Sequence, residues 1–193
     1  MTIVKICGIT NLEDALVALE AGADLLGFVF YPKSPRYVAV EKVKTMVQEI
    51  RDWRLESTNA TTARAQPRLI GLFVNESDER IQTILAETHL DYAQLHGDES
   101  PAILEQLGER AFRAIRPVDG ADALTQAKLF YPPWAQNYSS PPTIEICPRL
   151  LVDAYDPKLY GGTGKKADWH AAAQLANQFP HLLLAGGLTV ENV

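Results

Sequence analysis

Seven short apolar runs, each followed by a segment of helical periodicity, predict an α/β fold: a (β/α)₈ TIM barrel that is cut short after its seventh strand. Two observations carry the prediction. The apolar runs are continuous rather than alternating, as strands covered on both faces require. Strand-like and helix-like segments also alternate in regular order along the chain. An open, doubly wound sheet is the structural alternative.

"IVKIC" (3–7) is a β-branched run and predicts the first strand. Asn11 is placed to cap a helix in which Leu12, Ala15, Leu16 and Leu19 fall at helical spacing, and Gly22 ends it. "LLGFVF" (25–30) predicts a buried strand, and Val43, Met46, Val47 and Ile50 form the stripe of the next helix. "RLIGLFV" (68–74) is followed by a helix that Ser77 caps, with Ile81, Ile84 and Leu85 facing inward. "DYAQLH" (91–96) precedes a helix opened by Ser100 and Pro101 at cap and first-turn positions. "AFRAIR" (111–116) is the fifth strand, with a weaker helix near 120–128. "RLLVDA" (149–154) is the sixth; Asp168 then caps a helix carrying Ala172, Leu175, Ala176 and Phe179. "HLLLAG" (181–186) is the seventh.

The whole chain, 1–193, reads as one domain, incomplete at its C-terminal end. Two stretches, 51–67 and 131–148, are polar or proline-rich and predict surface insertions. Each lies between a helix and the next strand, at the end of a barrel opposite the usual active site.

Composition excludes several classes of function. Apolar residues make up 47% and charged residues 22% of the 193, an ordinary globular balance. A net charge of −6 argues against nucleic acid or anionic membrane as partners. No stretch reaches the ~18 apolar residues of a membrane span. "MTIVKICGIT" has no basic start and long apolar core, and Cys7 and Cys147 make no disulfide framework. The expectation is a cytoplasmic enzyme, monomer or homodimer.

Barrel enzymes work at the C-terminal ends of their strands. That rule selects Cys7, Arg36, Gln94, His96, Arg116, Asp153, Gly186 and Gly187. Each has a plainer reading: a core thiol, a solvated loop charge, a turn histidine, a structural carboxylate. Their placement at one end favours the functional one. "LYGGTGKKADW" (159–169) follows the sixth strand, and Gly162 and Gly164 let backbone N–H groups approach an anion. Gly186 and Gly187 offer the same after the seventh. No P-loop spacing, metal cluster or dinucleotide fingerprint is present. The expected ligand is a small phosphorylated molecule, handled by acid–base chemistry with no cofactor and no metal.

"KICGIT", "GFVFYPKSPR", "LFVN", "QLHGDE", "LLVDA", "YGGTGKKADW" and "LAGGLTVENV" occur in this order. Together they resemble phosphoribosylanthranilate isomerase, an enzyme family of tryptophan biosynthesis. The resemblance covers nearly all of the chain outside the two insertions. It implies a (β/α)₈ barrel and an Amadori rearrangement: N-(5-phosphoribosyl)anthranilate, a phosphorylated aminoaldose, becomes 1-(2-carboxyphenylamino)-1-deoxyribulose 5-phosphate. It implies Cys7 as general base and Asp153 as general acid. Arg36 would face the anthranilate carboxylate, the glycine turns would take the phosphate, and Gln94 and His96 would position hydrogen bonds.

Those roles suit the residue types. Ring opening needs a proton on the furanose oxygen, and burial or an anionic substrate is expected to raise the Asp153 carboxyl from its ordinary range. The Schiff base then makes the C2 proton acidic enough for a thiolate. Members of the resembled family continue beyond "LTVENV" with a helix, an eighth strand and a last helix. Without them, strands one and seven are expected to have unpaired edges, and stability and activity to fall. A related sugar-phosphate barrel enzyme, or an inactive phosphate-binding fragment, is the rival reading.

Overall fold

A computed structural model describes residues 2–57, 66–132, 148–157, 160 and 164–192, with side chains of the second helix described through Trp53. They fall into two compact units, Met1–Ala93 and Gln94–Thr143 with Cys147–Val193. In each unit the strand order is the chain order, and every pairing with a described register is parallel. No helix among the described residues is long and apolar enough to cross a membrane.

The first unit holds β1 (Lys5–Cys7), α1 (Leu12–Glu20), β2 (Leu25–Val29), α2 (Val40–Ser57), β3 (Arg68–Phe73), α3 (Asp78–Thr88) and the start of β4 (Tyr92–Leu95). Lys5 pairs with Leu25 and Cys7 with Gly27; Leu25 pairs with Arg68 and Val29 with Leu72. All of β2 is buried, as its unbroken apolar run demands. Asn11 accepts from the Asp14 amide and Ser77 from the Arg80 amide, so both predicted caps close their helices. Val43, Met46, Val47 and Ile50 are buried along α2, and Phe30 stacks on Phe73 with ring centres 5.2 Å apart.

The second helix corrects one boundary. The insertion expected from residue 51 begins later, because α2 continues to Ser57. Polar side chains support that extra length. Gln48 Nε2 donates to Asp52 Oδ1 at 2.9 Å, one helical turn on, and Arg51 donates to the His89 carbonyl at 2.8 Å. Residues 58–65 of that stretch, and 133–147 of the second predicted insertion, lie outside the described residues.

The second unit holds the end of β4, α4 (Pro101–Leu107), a 3₁₀ turn (Gly108–Arg110), β5 (Ala111–Ile115), α5 (Gly120–Phe130), β6 (Leu150–Val152), α6 (Trp169–Ala176) and β7 (Leu182–Leu184). Arg113 pairs with Leu150, and Leu150 with Leu182. Ala123 and Ala127 of α5 share a core with Ala171, Ala172 and Leu175 of α6, where small side chains suit close packing. Phe179, expected inside the last helix, lies beyond its end but is buried there against Tyr131. Ser100 sits at the N-cap of α4 but makes no side-chain cap bond. Pro101 has no N–H, so one donor fewer needs capping.

β1 pairs with β2, β7 pairs with β6, and neither has a second neighbour among the described residues. Both are correspondingly less covered. Val4 and Ile6 are 42% and 41% exposed, and Leu182–Leu184 are half-buried.

Two carboxylates tie strand entrances together. Asp24, buried just before β2, accepts from the Val4 amide at 2.8 Å. Asp91, just before β4, accepts from the Leu69 amide at 2.7 Å and from Arg68 at 3.3 Å. Replacing Asp24 with Ala strands the Val4 N–H and is expected to cost about 1–3 kcal/mol in urea unfolding. Asp24→Asn keeps an acceptor oxygen and should recover most of that loss. Equal stability of the Ala and Asn variants would show that this hydrogen bond contributes nothing.

Candidate active site

In the first unit, β1 ends at Cys7 and the loop after β2 delivers Arg36. That loop folds on itself: the Ser34 amide donates to the Tyr31 carbonyl at 2.9 Å, and Tyr37 and Val38 return to Ser34 and Val29. Arg36 then reaches across Gly8 and donates from Nη1 to the Cys7 carbonyl at 3.1 Å. Gly8 has a φ of +91°, and a Cβ there would collide with the Arg36 side chain. Gly27 makes room in the same way: a Cβ would come within 2.7 Å of the Cys7 Sγ. The sequence therefore brings a half-buried thiol and a guanidinium together around two glycines.

In the second unit, Gln94 lies in β4 and His96 directly follows its last residue, two positions on. Gln94 Nε2 lies 2.9 Å from His96 Nδ1. His96 Nε2 lies 3.2 Å from Asp153 Oδ2, an ion-pair contact without the alignment of a full hydrogen bond. Asp153 Oδ1 accepts from the Ala154 amide at 2.8 Å. Gln94, His96 and Asp153 are buried residues, at 1%, 4% and 8% exposure respectively. Gly186 lies against Asp153 and Ala154 with a φ of +83°. A Cβ there would stand 2.8 Å from the Ala154 nitrogen and 3.0 Å from Asp153 Oδ1. His96 is thus no ordinary turn histidine bonded to backbone.

The Gly186–Gly187 turn lies beside Asp153. Gly187 abuts the Lys166 backbone, where a Cβ would approach to 2.7 Å. The Ala167 amide donates to the Gly186 carbonyl at 3.3 Å. Gly164 is exposed with a φ of +70°. Gly162 lies outside the described residues. The mouth of α6 is already served, since Asp168 accepts from the Ala171 amide at 2.9 Å.

A clamp on the β4 loop was not foreseen from the sequence. Buried Glu99 accepts from the Gly97 amide at 2.9 Å and pairs with buried Arg113. Arg113 also donates to the Gly97 carbonyl at 2.5 Å, with its guanidinium 4.7 Å from the Phe130 ring centre. Arg116, at the end of β5, donates to Gly97 and to Asp98 at 3.2 and 3.1 Å. Tyr160 lies under Arg116 and donates to Asp98. A charged residue inside the apolar run "AFRAI" was the available signal for Arg113.

The ionisation of Asp153 corrects an expectation. Burial pushes its carboxyl up, as predicted. His96, the Ala154 amide and Arg116 outweigh burial and hold it below the ordinary carboxylate range. In this state Asp153 is a carboxylate at neutral pH.

The family model of N-(5'-phosphoribosyl)anthranilate isomerase matches residues 4–193. The protein of that name from Syntrophus aciditrophicus is 38% identical over 196 residues, covering 100% of this chain and 71% of its own. The chain belongs to this family. Among solved structures, phosphoribosylanthranilate isomerase from Thermotoga maritima superposes with a TM-score of 0.76 at 33% identity, covering 100% of this chain and 80% of its own. A phosphoribosylanthranilate isomerase in complex with reduced 1-(o-carboxyphenylamino)-1-deoxyribulose 5-phosphate superposes at 0.72 with 31% identity, covering 100% and 79%. The fold class read from the sequence, an α/β chain of the (β/α)-barrel type, is that of these isomerases.

The lowered carboxyl gives a pH dependence of known sign. A group whose folded pKa is depressed adds stability above its unfolded value and loses it as pH falls through the folded one. Parent protein should therefore exceed Asp153→Asn in urea stability at pH 5–7, with the gap closing below about pH 4. A gap that stays constant down to pH 2.5 would contradict this electrostatic account.

Proposed function

We propose that this chain isomerises N-(5'-phosphoribosyl)anthranilate to 1-(2-carboxyphenylamino)-1-deoxyribulose 5-phosphate, without cofactor or metal. The observation that carries the reading is the family match over residues 4–193, which spans every strand-end residue named above.

Cys7 acts as general base and Asp153 as general acid. Asp153 gives a proton to the furanose oxygen, the C1–O bond breaks with its electrons on that oxygen, and the anthranilate nitrogen forms an iminium at C1. The Cys7 thiolate takes the C2 proton, and the electron pair closes the enaminol. Ketonisation moves the O2 proton to C1, so substrate and product are isomers. Arg36 donates to the Cys7 carbonyl from Nη1 and turns further N–H groups to the anthranilate carboxylate. Backbone around Gly164, Gly186 and Gly187, with Gly162, takes the phosphate. Gln94 and His96 position Asp153.

Asp153 rests as a carboxylate, so it must take up a proton from solvent as substrate binds. A phosphoanion beside it adds negative charge and excludes water, and both favour the protonated carboxyl.

Cys7→Ser and Asp153→Asn are each expected to lower kcat by about 10²–10⁴-fold while leaving substrate binding largely intact. The fall in anthranilate-type fluorescence as aminoaldose is consumed reads the rate. Near-parental kcat in either variant would remove that residue from its role. Arg36→Met should act mainly on KM.

A further inference from the structure

We propose that His96 is the proton partner of Asp153: the pair holds one exchangeable proton, and the Gln94 amide sets which ring nitrogen of His96 carries the other. The inference rests on the reading of Asp153 as the general acid. His96 is a positioning residue in it, acting through Asp153.

The three side chains form a buried line within one unit. As placed, Gln94 Nε2 donates to Nδ1, so the ring carries its hydrogen on Nε2, toward Asp153 Oδ2. That tautomer suits a carboxylate and gives Asp153 nothing to donate. Gln94 Oε1 is buried without a hydrogen-bond partner; a half-turn would put Nε2 in that same place, so this position favours neither orientation. A half-turn of the amide exchanges oxygen and nitrogen with almost no change of shape. Oε1 then faces Nδ1, which must carry the ring hydrogen, and Nε2 becomes an acceptor. An acceptor at Nε2 fits a protonated Asp153. One added proton and one amide half-turn convert the carboxylate into an acid.

The cycle balances. Protonated Asp153 gives its proton to the furanose oxygen, leaving a carboxylate opposite the lone pair of Nε2. Two acceptors in contact repel, so the pair draws the next proton from solvent, replacing the one Cys7 releases after taking it from C2.

The surrounding charges leave this task to His96. Arg116, from the end of β5, acts on Asp153 but keeps its own proton. In the β4 loop, Asp98 is bound to Arg116 and Tyr160, and Glu99 to Arg113. Beyond β6, Lys165 is paired with Asp156 at 2.9 Å. β7 presents Leu182–Leu184 and then the Gly186 backbone. Imidazole exchanges its proton near neutral pH.

The test reads by NMR which His96 ring nitrogen carries the hydrogen, in the parent and in Asp153→Asn. The ring-nitrogen shifts are expected to differ between the two, as loss of the contacting carboxylate requires. In kinetics, His96→Gln should lower kcat by about 10²-fold with KM within about threefold, and should displace the alkaline limb of the pH–kcat profile. Unchanged ring-nitrogen shifts overturn the partnership, as does a His96→Gln profile that superimposes on the parent's. If His96→Gln fails to fold, the NMR comparison decides alone. Near-parental turnover in Asp153→Asn would defeat the acid assignment, and the partnership with it. An inactive Asp153→Asn with an unmoved His96 defeats only the partnership.

Discussion

A short parallel strand buried on both faces has room for chemistry only at its two ends. The strands here run from three residues in β1 to six in β3, and β2, β5 and β6 are buried throughout. Apolar side chains fill them because a polar group inside would need a partner that neighbouring strands do not supply. The polar residues are therefore pushed outward along the chain axis. At the entrances they do structural work: Asp24 and Asp91 take backbone N–H groups of the preceding strand. At the exits stand Cys7, His96, Asp153 and Gly186. The same constraint that builds the core places one set of carboxylates at the strand entrances and another at the exits.

Arg113 within β5, like Gln94 within β4, breaks that rule, and the arginine has a structural consequence. A buried Arg–Glu pair is a weak source of stability, since desolvation opposes attraction. It is more informative to ask what the pair holds. Glu99 and Arg113 take both the N–H and the carbonyl of Gly97, the residue after His96. A loop restrained at both backbone groups cannot pivot about that residue, so the imidazole direction is set from behind. Arg116 and Tyr160 extend the restraint to Asp98.

Much of this was legible in the chain. Continuous apolar runs marked the strands, and the side-chain oxygens of Asn11, Ser77 and Asp168 marked three helix starts. Gln94 and His96 read as candidates because barrel sites gather at the C-terminal ends of strands. What failed to read depended on partners distant in sequence. Asp24 looks like a turn former; its partner, Val4, lies twenty residues away. The end of α2 was hidden because polar composition resembles a loop until the Gln48–Asp52 and Arg51–His89 contacts are seen. The direction of the Asp153 ionisation was hidden for the same reason. Composition reveals burial, which raises the carboxyl, but not the imidazole and guanidinium that lower it.

On the proposed reading, that last imbalance orders the events of catalysis. The groups acting on Asp153 divide into a fixed set and a set that ligand changes. Ala154 and Arg116 are fixed by the fold and favour the carboxylate. Burial works against them and deepens when a ligand displaces water, while a phosphoanion near Gly186 adds repulsion of the same sign. Binding thus moves the balance toward the protonated form in the step that brings the furanose oxygen into reach. An acid charged by its own substrate avoids holding a neutral buried carboxyl through the empty state, where Arg116 and His96 would resist it. Proton uptake then accompanies binding rather than preceding it, and the carboxylate is the resting form of the acid.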